Sequence, residues 1–173
     1  MKENLYTPNC IRTFTGKYMN VFEPTPEMIC IEDIAHALAC QPRFGGHLPK
    51  FYSVAQHSIN CSYLVDDMKD RYAALLHDAS EAYLCDIPKP IKNHLKDYQG
   101  IEHNLMLAIA KHFGFEYPLS PVVKEVDEQM LHFEWHHLML KDESYKFKNH
   151  AAREVKETFL KTFHHYRREL SIK

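Results

Sequence analysis

The chain has 173 residues, with 21 Lys and Arg against 23 Asp and Glu, a formal net charge of −2 and 13 His. At roughly 100–200 residues per domain this length fits one domain, large enough to bury a core without staples. The near-neutral balance argues against a non-specific nucleic-acid binder, which needs a basic surface, and the 45% apolar and 25% charged residues exclude disorder.

Helical periodicity dominates, and the apolar and turn patterns leave little room for strands. Ile31, Ile34, Ala35 and Leu38 predict a first helix over 31–39. Residues 40–52 carry no helical pattern and two of the five glycines, so they read as a loop that approaches something closely. Ser53 followed by Gln56 makes a capping box for a helix from 54 to about 66. Asp70 is placed to cap a third helix that carries Ala73, Ala74, Leu76 and Leu84 and stops at Pro88 and Pro90. Ile101 to Phe113 is amphipathic and ends at Gly114. Ser120-Pro121 starts a helix running to about Leu140, and a last one covers 151–169. Six helices with short connections predict an all-α fold of one domain over 1–173.

The longest purely apolar run, Leu105 to Ala110, falls far short of the roughly 20 residues that span a bilayer, so no membrane partner is expected. Met1 to Tyr6 has no apolar segment of a secretory signal. The five cysteines, at 10, 30, 40, 61 and 85, are odd in number and form no Cys-x-x-Cys pair. A reduced, cytoplasmic setting is the expectation.

The third helix contains Leu75-Leu76-His77-Asp78-Ala79-Ser80-Glu81-Ala82-Tyr83, which puts ionisable groups at the margin of an apolar surface. Burying them costs several kcal/mol unless they are paired or bind a metal. On a continuous helix His77, Asp78 and Glu81 project to one side. His57 lies among Val54, Ala55 and Ile59, and Asp127 among Val123, Val126, Met130 and Leu131. Each residue alone has an ordinary explanation, such as a hydrogen-bonded core histidine or an aspartate beside a lysine. Together, two imidazoles and two carboxylates on three helices make a mixed nitrogen and oxygen donor set. That set suits one divalent transition metal, Mn, Co, Zn, Fe or Ni, with positions left for water and substrate.

His57, His77-Asp78 and Asp127 resemble the H…HD…D signature of the HD-domain metal-dependent phosphohydrolases. His77-Asp78-Ala79-Ser80-Glu81 followed by Asp86-Ile87-Pro88-Lys89-Pro90-Ile91-Lys92 is similar to the compact 5′-deoxynucleotidase branch. Ile31 to Leu38, Arg43 to His47 and Phe51 to His57 resemble more closely a phage and bacterial subgroup containing dATP triphosphohydrolases. The resemblance covers roughly residues 14–140; Cys85 stands where relatives often carry Gly.

The resemblance implies His57, His77, Asp78 and Asp127 as metal ligands. It implies Glu81 and Asp78 as the catalytic acid–base groups and Asp86 as the acceptor for a deoxyribose 3′-hydroxyl. Arg43, Phe44, Gly45, Gly46 and His47 match the surroundings of sugar and phosphate. Lys89 and Lys92 are candidates for phosphate contact, against a reading as solvated surface charge. Tyr18 and Phe22 fall where relatives form part of the base pocket. Glu134 lies on the face of Asp127, to orient a ligand histidine or to pair with an arginine. The implied reaction is hydrolysis of dATP to deoxyadenosine and triphosphate, with further Mg or Mn on the phosphates. The alternatives are a 5′-deoxynucleotidase acting on deoxynucleoside monophosphates and a non-catalytic metal- or nucleotide-binding module. The expected partners are a purine deoxynucleotide and other copies of the chain, as a dimer or hexamer, and no nucleic-acid polymer. A phage-borne chain would work in the host cytoplasm.

Overall fold

A computed structural model describes residues 9–148 and 150–172; the stretch Met1 to Tyr6, read above for a signal, lies outside them. A two-residue hairpin pairs β1 (Ile11–Arg12) antiparallel with β2 (Tyr18–Met19). Everything else of consequence among the described residues is helical, as the periodicity predicts. The hairpin is tied to the first helix by the buried Asp33, whose carboxylate accepts from the Thr15 amide at 2.6 Å and the Thr15 hydroxyl at 2.8 Å.

α1 (Ile31–Cys40) buries Ile31, Ile34, Ala35 and Leu38 and ends where Gln41 goes extended. Gln41 precedes Pro42, whose ring excludes the helical conformation from its neighbour. The expected loop starts one residue later, at 41, and runs to 52, pinched at its base: Arg43 N donates to Tyr52 O at 2.9 Å and Val54 N to Gln41 O at 3.1 Å. At its tip Phe44, Gly45 and Gly46 take φ of 55°, 59° and 80° in succession, a left-handed run that two glycines make affordable.

α2 (Val54–Tyr63) starts at Ser53, whose hydroxyl accepts from Gln56 N at 3.2 Å, and ends about three residues before the expected boundary. It must end there because α3 (Met68–Leu76) is capped by Asp67, not Asp70. Asp70 instead accepts from the Ser120 hydroxyl at 2.8 Å, tying α3 to the start of α7 (Pro121–Glu134).

The expected helix through Leu84 is broken. The His77 ring donates from Nδ1 to the Ala74 carbonyl at 2.7 Å, the oxygen a continuing helix would offer to the Asp78 amide. Residues 77–80 therefore turn, and α4 (Glu81–Leu84) and α5 (Lys89–Lys92) follow as single turns. α6 (Lys96–Phe113) begins five residues earlier than its apolar pattern and stops at Gly114, left-handed at φ 77°. α7 ends at Glu134 and widens into a π turn over Trp135–Met139, so the expected run to 140 is helical but not α throughout. α8 (Ala152–Glu169) closes the fold.

α1 packs on α8, α2 on α3, and α7 lies against both α2 and α3. Ile34, Leu38, Ile59, Leu75, Ile109, Phe159 and Phe163 fill the main core. A smaller cluster of Cys61, Val65, Ala73, Ala74, Val123, Val126 and Met130 lies between α2, α3 and α7. The candidate site sits where those three helices meet. Among the described residues no helix is long and apolar enough to cross a membrane.

Candidate metal centre

His57 stands on α2 with no solvent exposure. Its Nδ1 donates to Glu134 Oε1 at 2.8 Å, which leaves Nε2 facing Asp127 Oδ1 of α7 at 3.0 Å. The bond from His77 to Ala74 likewise commits Nδ1, so Nε2 is the atom His77 presents. That Nε2 lies 3.2 Å from Asp78 Oδ2 and 3.5 Å from Asp127 Oδ1, and Asp78 Oδ2 is 3.9 Å from His57 Nε2. Donor atoms at about 2.0–2.2 Å from one ion are separated by at most about 4.4 Å, and every one of these separations meets that limit. His77 Nε2 is buried without a hydrogen-bond partner, so the atom is aimed at the space the four groups share. The donors fit a cation.

The electrostatics agree. Burial disfavours charge on both imidazoles, and Arg43 adds to that for His57, yet the carboxylates around them hold both rings well above the ordinary histidine value. Glu134 and Asp127 act on His57, and Asp78 and Asp127 on His77. Burial pushes the two aspartates upward, but the histidines pull Asp78 down to about 2 and Asp127 further still. The pocket thus selects positive charge, carried by protons when no cation supplies it.

Glu134, also unexposed, serves both roles considered for it. One oxygen takes the His57 ring and the Tyr52 hydroxyl, each at 2.8 Å, and the other takes Arg43 Nη2 at 3.0 Å. Burial works against its charge, and His57 and Arg43 prevail and keep it ionised. Arg43 also approaches Asp78 Oδ2 at 3.8 Å, so it braces the site as well as facing the cleft.

That cleft, about 840 Å³, has Asp78 and Asp127 in its wall and reaches Arg43, Phe44 and His47 on one side and Asp86 and Lys89 on the other. Its volume lies in the range of small-molecule sites. Glu81 lines it with Oε2 buried and unpaired. Burial first, then Asp78 and Asp86, push its carboxyl well above the ordinary range. Asp86 is raised too, by burial. The Gln41 amide sets both acids: it donates to Glu81 O at 2.8 Å and accepts from Asp86 N at 3.0 Å.

Of the sequence-derived contacts, Arg43, Phe44, His47, Asp86, Lys89 and Lys92 line the cleft, and Gly46 turns the backbone beside it. Lys92, a candidate for phosphate contact, pairs with Glu102 at 2.5 Å and lies 3.6 Å from Glu81. Tyr18 and Phe22 do not line the cleft: Tyr18 sits on the hairpin held at Asp33, and Phe22 points outward. Three participants are not among the site residues that the sequence predicts. Tyr52 holds Glu134, Trp135 flanks the cleft with its ring 6.2 Å from that of Phe44, and Cys61 places Sγ 3.5 Å from His57 Nε2. Only Cys61 left a legible signal, its spacing of four residues from His57 on one helix.

No family model matches the chain. The uncharacterized protein YfdR of Escherichia coli K12 is 42% identical over 135 residues, 78% of this chain and 75% of YfdR. The uncharacterized protein RCAP_rcc00048 of Rhodobacter capsulatus is 36% identical over 126 residues, 65% of this chain and 62% of that protein.

Proposed function

This chain belongs to the family of YfdR, and we propose that it is a metal-dependent phosphohydrolase of deoxynucleoside phosphates. The observation that carries the reading is the convergence of His57, His77, Asp78 and Asp127 at the wall of a nucleotide-sized cleft. These four residues hold one divalent transition metal, which when bound makes a water nucleophilic near neutrality and polarises a phosphoryl oxygen.

The remaining steps belong to the chain's own groups. Asp78, ionised well below neutrality, takes the proton of the attacking water. Oxygen joins the α-phosphorus, the bond from phosphorus to the 5′-oxygen breaks, and the proton held on Glu81 passes to that oxygen. Arg43 offsets charge on the phosphoryl oxygens. Asp86 meets the sugar hydroxyl, and Phe44 with Trp135 offers flat apolar faces to the base.

The preferred substrate is dATP, released as deoxyadenosine and triphosphate, with Mg or Mn on the β- and γ-phosphates. A 5′-deoxynucleotidase is the second reading, and the pairing of Lys92 with Glu81 and Glu102 favours it, because among the described residues it leaves Lys89 as the cleft lysine outside any ion pair. Metal-loaded protein is offered dATP and dAMP, and inorganic phosphate is read against triphosphate. Turnover of dAMP alone rejects the triphosphohydrolase. No turnover of any deoxynucleotide by protein carrying one metal per chain rejects hydrolysis and leaves a binding module.

A further inference from the structure

The cation pocket has a fifth donor that faces the core. Cys61 lies one helical turn after His57 on α2, and its sulfur rests alongside the His57 ring, 3.5 Å from Nε2 and 3.9 Å from Nδ1, so that a turn about its Cα–Cβ bond would bring it to an ion on Nε2. Donor atoms of His57, Cys61, His77 and Asp127 all lie within 4.8 Å of one another. The side chain is 1% exposed and belongs to the apolar cluster with Val65, Ala73, Ala74 and Val123. Asp78 and Asp127 line the cleft whereas Cys61 does not. The sulfur therefore approaches from the closed side and the carboxylates from the open one. A second observation marks the same point as a ligand position: His77 Nε2, buried and without a hydrogen-bond partner, is aimed into it.

We propose that Cys61 is a sulfur ligand of the metal, making the site selective for thiophilic cations such as Zn²⁺ or Co²⁺ over Mn²⁺ and Mg²⁺. This rests on the metal-centre reading above. On binding, the sulfur–metal bond forms and the thiol proton leaves to water. Thiolate is the softest donor available to the chain, and an all-nitrogen-and-oxygen set lacks that preference. The site is deep in the structure, so an exposed cysteine such as Cys40 does not share the role.

The test is optical, with Co²⁺ as the probe at one equivalent per chain. The native protein is expected to show d–d bands of an ordered site together with a sulfur-to-cobalt charge-transfer band in the near ultraviolet. Cys61→Ser and Cys61→Ala keep the d–d bands and lose the charge-transfer band, while Cys40→Ser keeps both. Competition gives the second readout: both Cys61 variants lose at least about tenfold in Zn²⁺ affinity with Mn²⁺ affinity little changed. A site that binds Co²⁺ without the sulfur band, or a band that survives in both variants, overturns the ligand assignment and leaves the metal centre standing. Equal losses for Zn²⁺ and Mn²⁺ mark Cys61 as packing and overturn it as well. No ordered Co²⁺ in the native protein sinks the metal centre and this inference together.

Discussion

Glu134 and His57 are 77 residues apart in sequence and 2.8 Å apart in the fold, carboxylate to ring nitrogen. The bond fixes which nitrogen His57 presents and raises its basicity, and the same carboxylate neutralises the buried Arg43. Glu134→Gln keeps an acceptor but removes the charge, so metal affinity is expected to fall about 10–100-fold with the fold intact. Glu134→Ala strands a buried guanidinium and is expected to cost about 3–5 kcal/mol. Calorimetric Zn²⁺ titration and thermal melting separate the two effects. Unchanged affinity in Glu134→Gln would show that the ring needs no carboxylate behind it.

Asp78 touches three parts of the site at once: His77, His57 and Arg43, at 3.2, 3.9 and 3.8 Å. Asp78→Ala is expected to lose metal and turnover together. Elemental analysis beside a deoxynucleotide assay checks this, and an active, metal-poor variant contradicts the ligand assignment.

How much of this was legible depends on which physical event carries each feature. The donor residues were legible because their types are costly on apolar helix faces, and that cost does not depend on where the helices end. The break at His77 was not, because it arises when a side chain takes the Ala74 carbonyl, and periodicity sees no such competition. Asp67 and Asp70 are equivalent as caps in sequence; only the contact of Asp70 with Ser120 decides between them. Tyr18 read as a pocket residue by position, but the hairpin is anchored at Asp33, away from the cleft lining. Cys61 stands four residues after His57 on α2, a spacing that shares a helix face but is common among core residues and does not by itself mark a ligand.

Glu81 gives a dependence on pH that opposes the usual carboxylate pattern. Its carboxyl is raised, first by burial and then by Asp78 and Asp86. Below the ordinary value of 4.5 the folded and unfolded chains are both protonated there, and nothing is lost. Above it the unfolded chain ionises while the folded chain holds its proton, so stability declines as pH rises toward the raised value. Glu81→Gln removes this penalty while Lys92 keeps Glu102 as a partner. The metal-free variant is expected to melt higher than the parent at pH 7 and level with it at pH 4. Its kcat should fall about 10²–10⁴-fold with bound metal retained. A variant less stable at pH 7 than the parent would show that Glu81 is ionised in the fold.

Cys85 has φ 67° and ψ 153°, a region that a side chain occupies only under strain of about 1–3 kcal/mol. It joins the turn of Glu81 to Asp86, and the two hydrogen bonds of Gln41 span it. Glycine, with no side chain, adopts this conformation freely. Its greater freedom in the unfolded chain returns part of the gain. Cys85→Gly is therefore expected to stabilise by about 1 kcal/mol, read as a higher urea midpoint at unchanged slope. A lower midpoint would mean that contacts of the Cys85 side chain outweigh the strain.

Lys89 and Lys92 both line the cleft, yet their charges are not equally available. Lys92 is claimed by Glu102 and Glu81, and although burial opposes its charge those partners keep it protonated. Lys89 is exposed, and it makes no ion pair with the described residues. On the proposed function, a phosphate chain entering the cleft would meet Lys89 as a cation unpaired among the described residues and Lys92 as a paired one. A lost contact to a charged group is worth about 1.5–3 kcal/mol, so Lys89→Ala is expected to raise KM for dATP by about tenfold or more, with a smaller effect for dAMP. Lys92→Ala acts instead through Glu81: without its neighbouring cation the carboxyl is pushed further up, and the alkaline limb of kcat moves to higher pH while KM changes little. Steady-state profiles on both nucleotides decide the assignment, and a KM effect confined to Lys92→Ala would reverse the two roles.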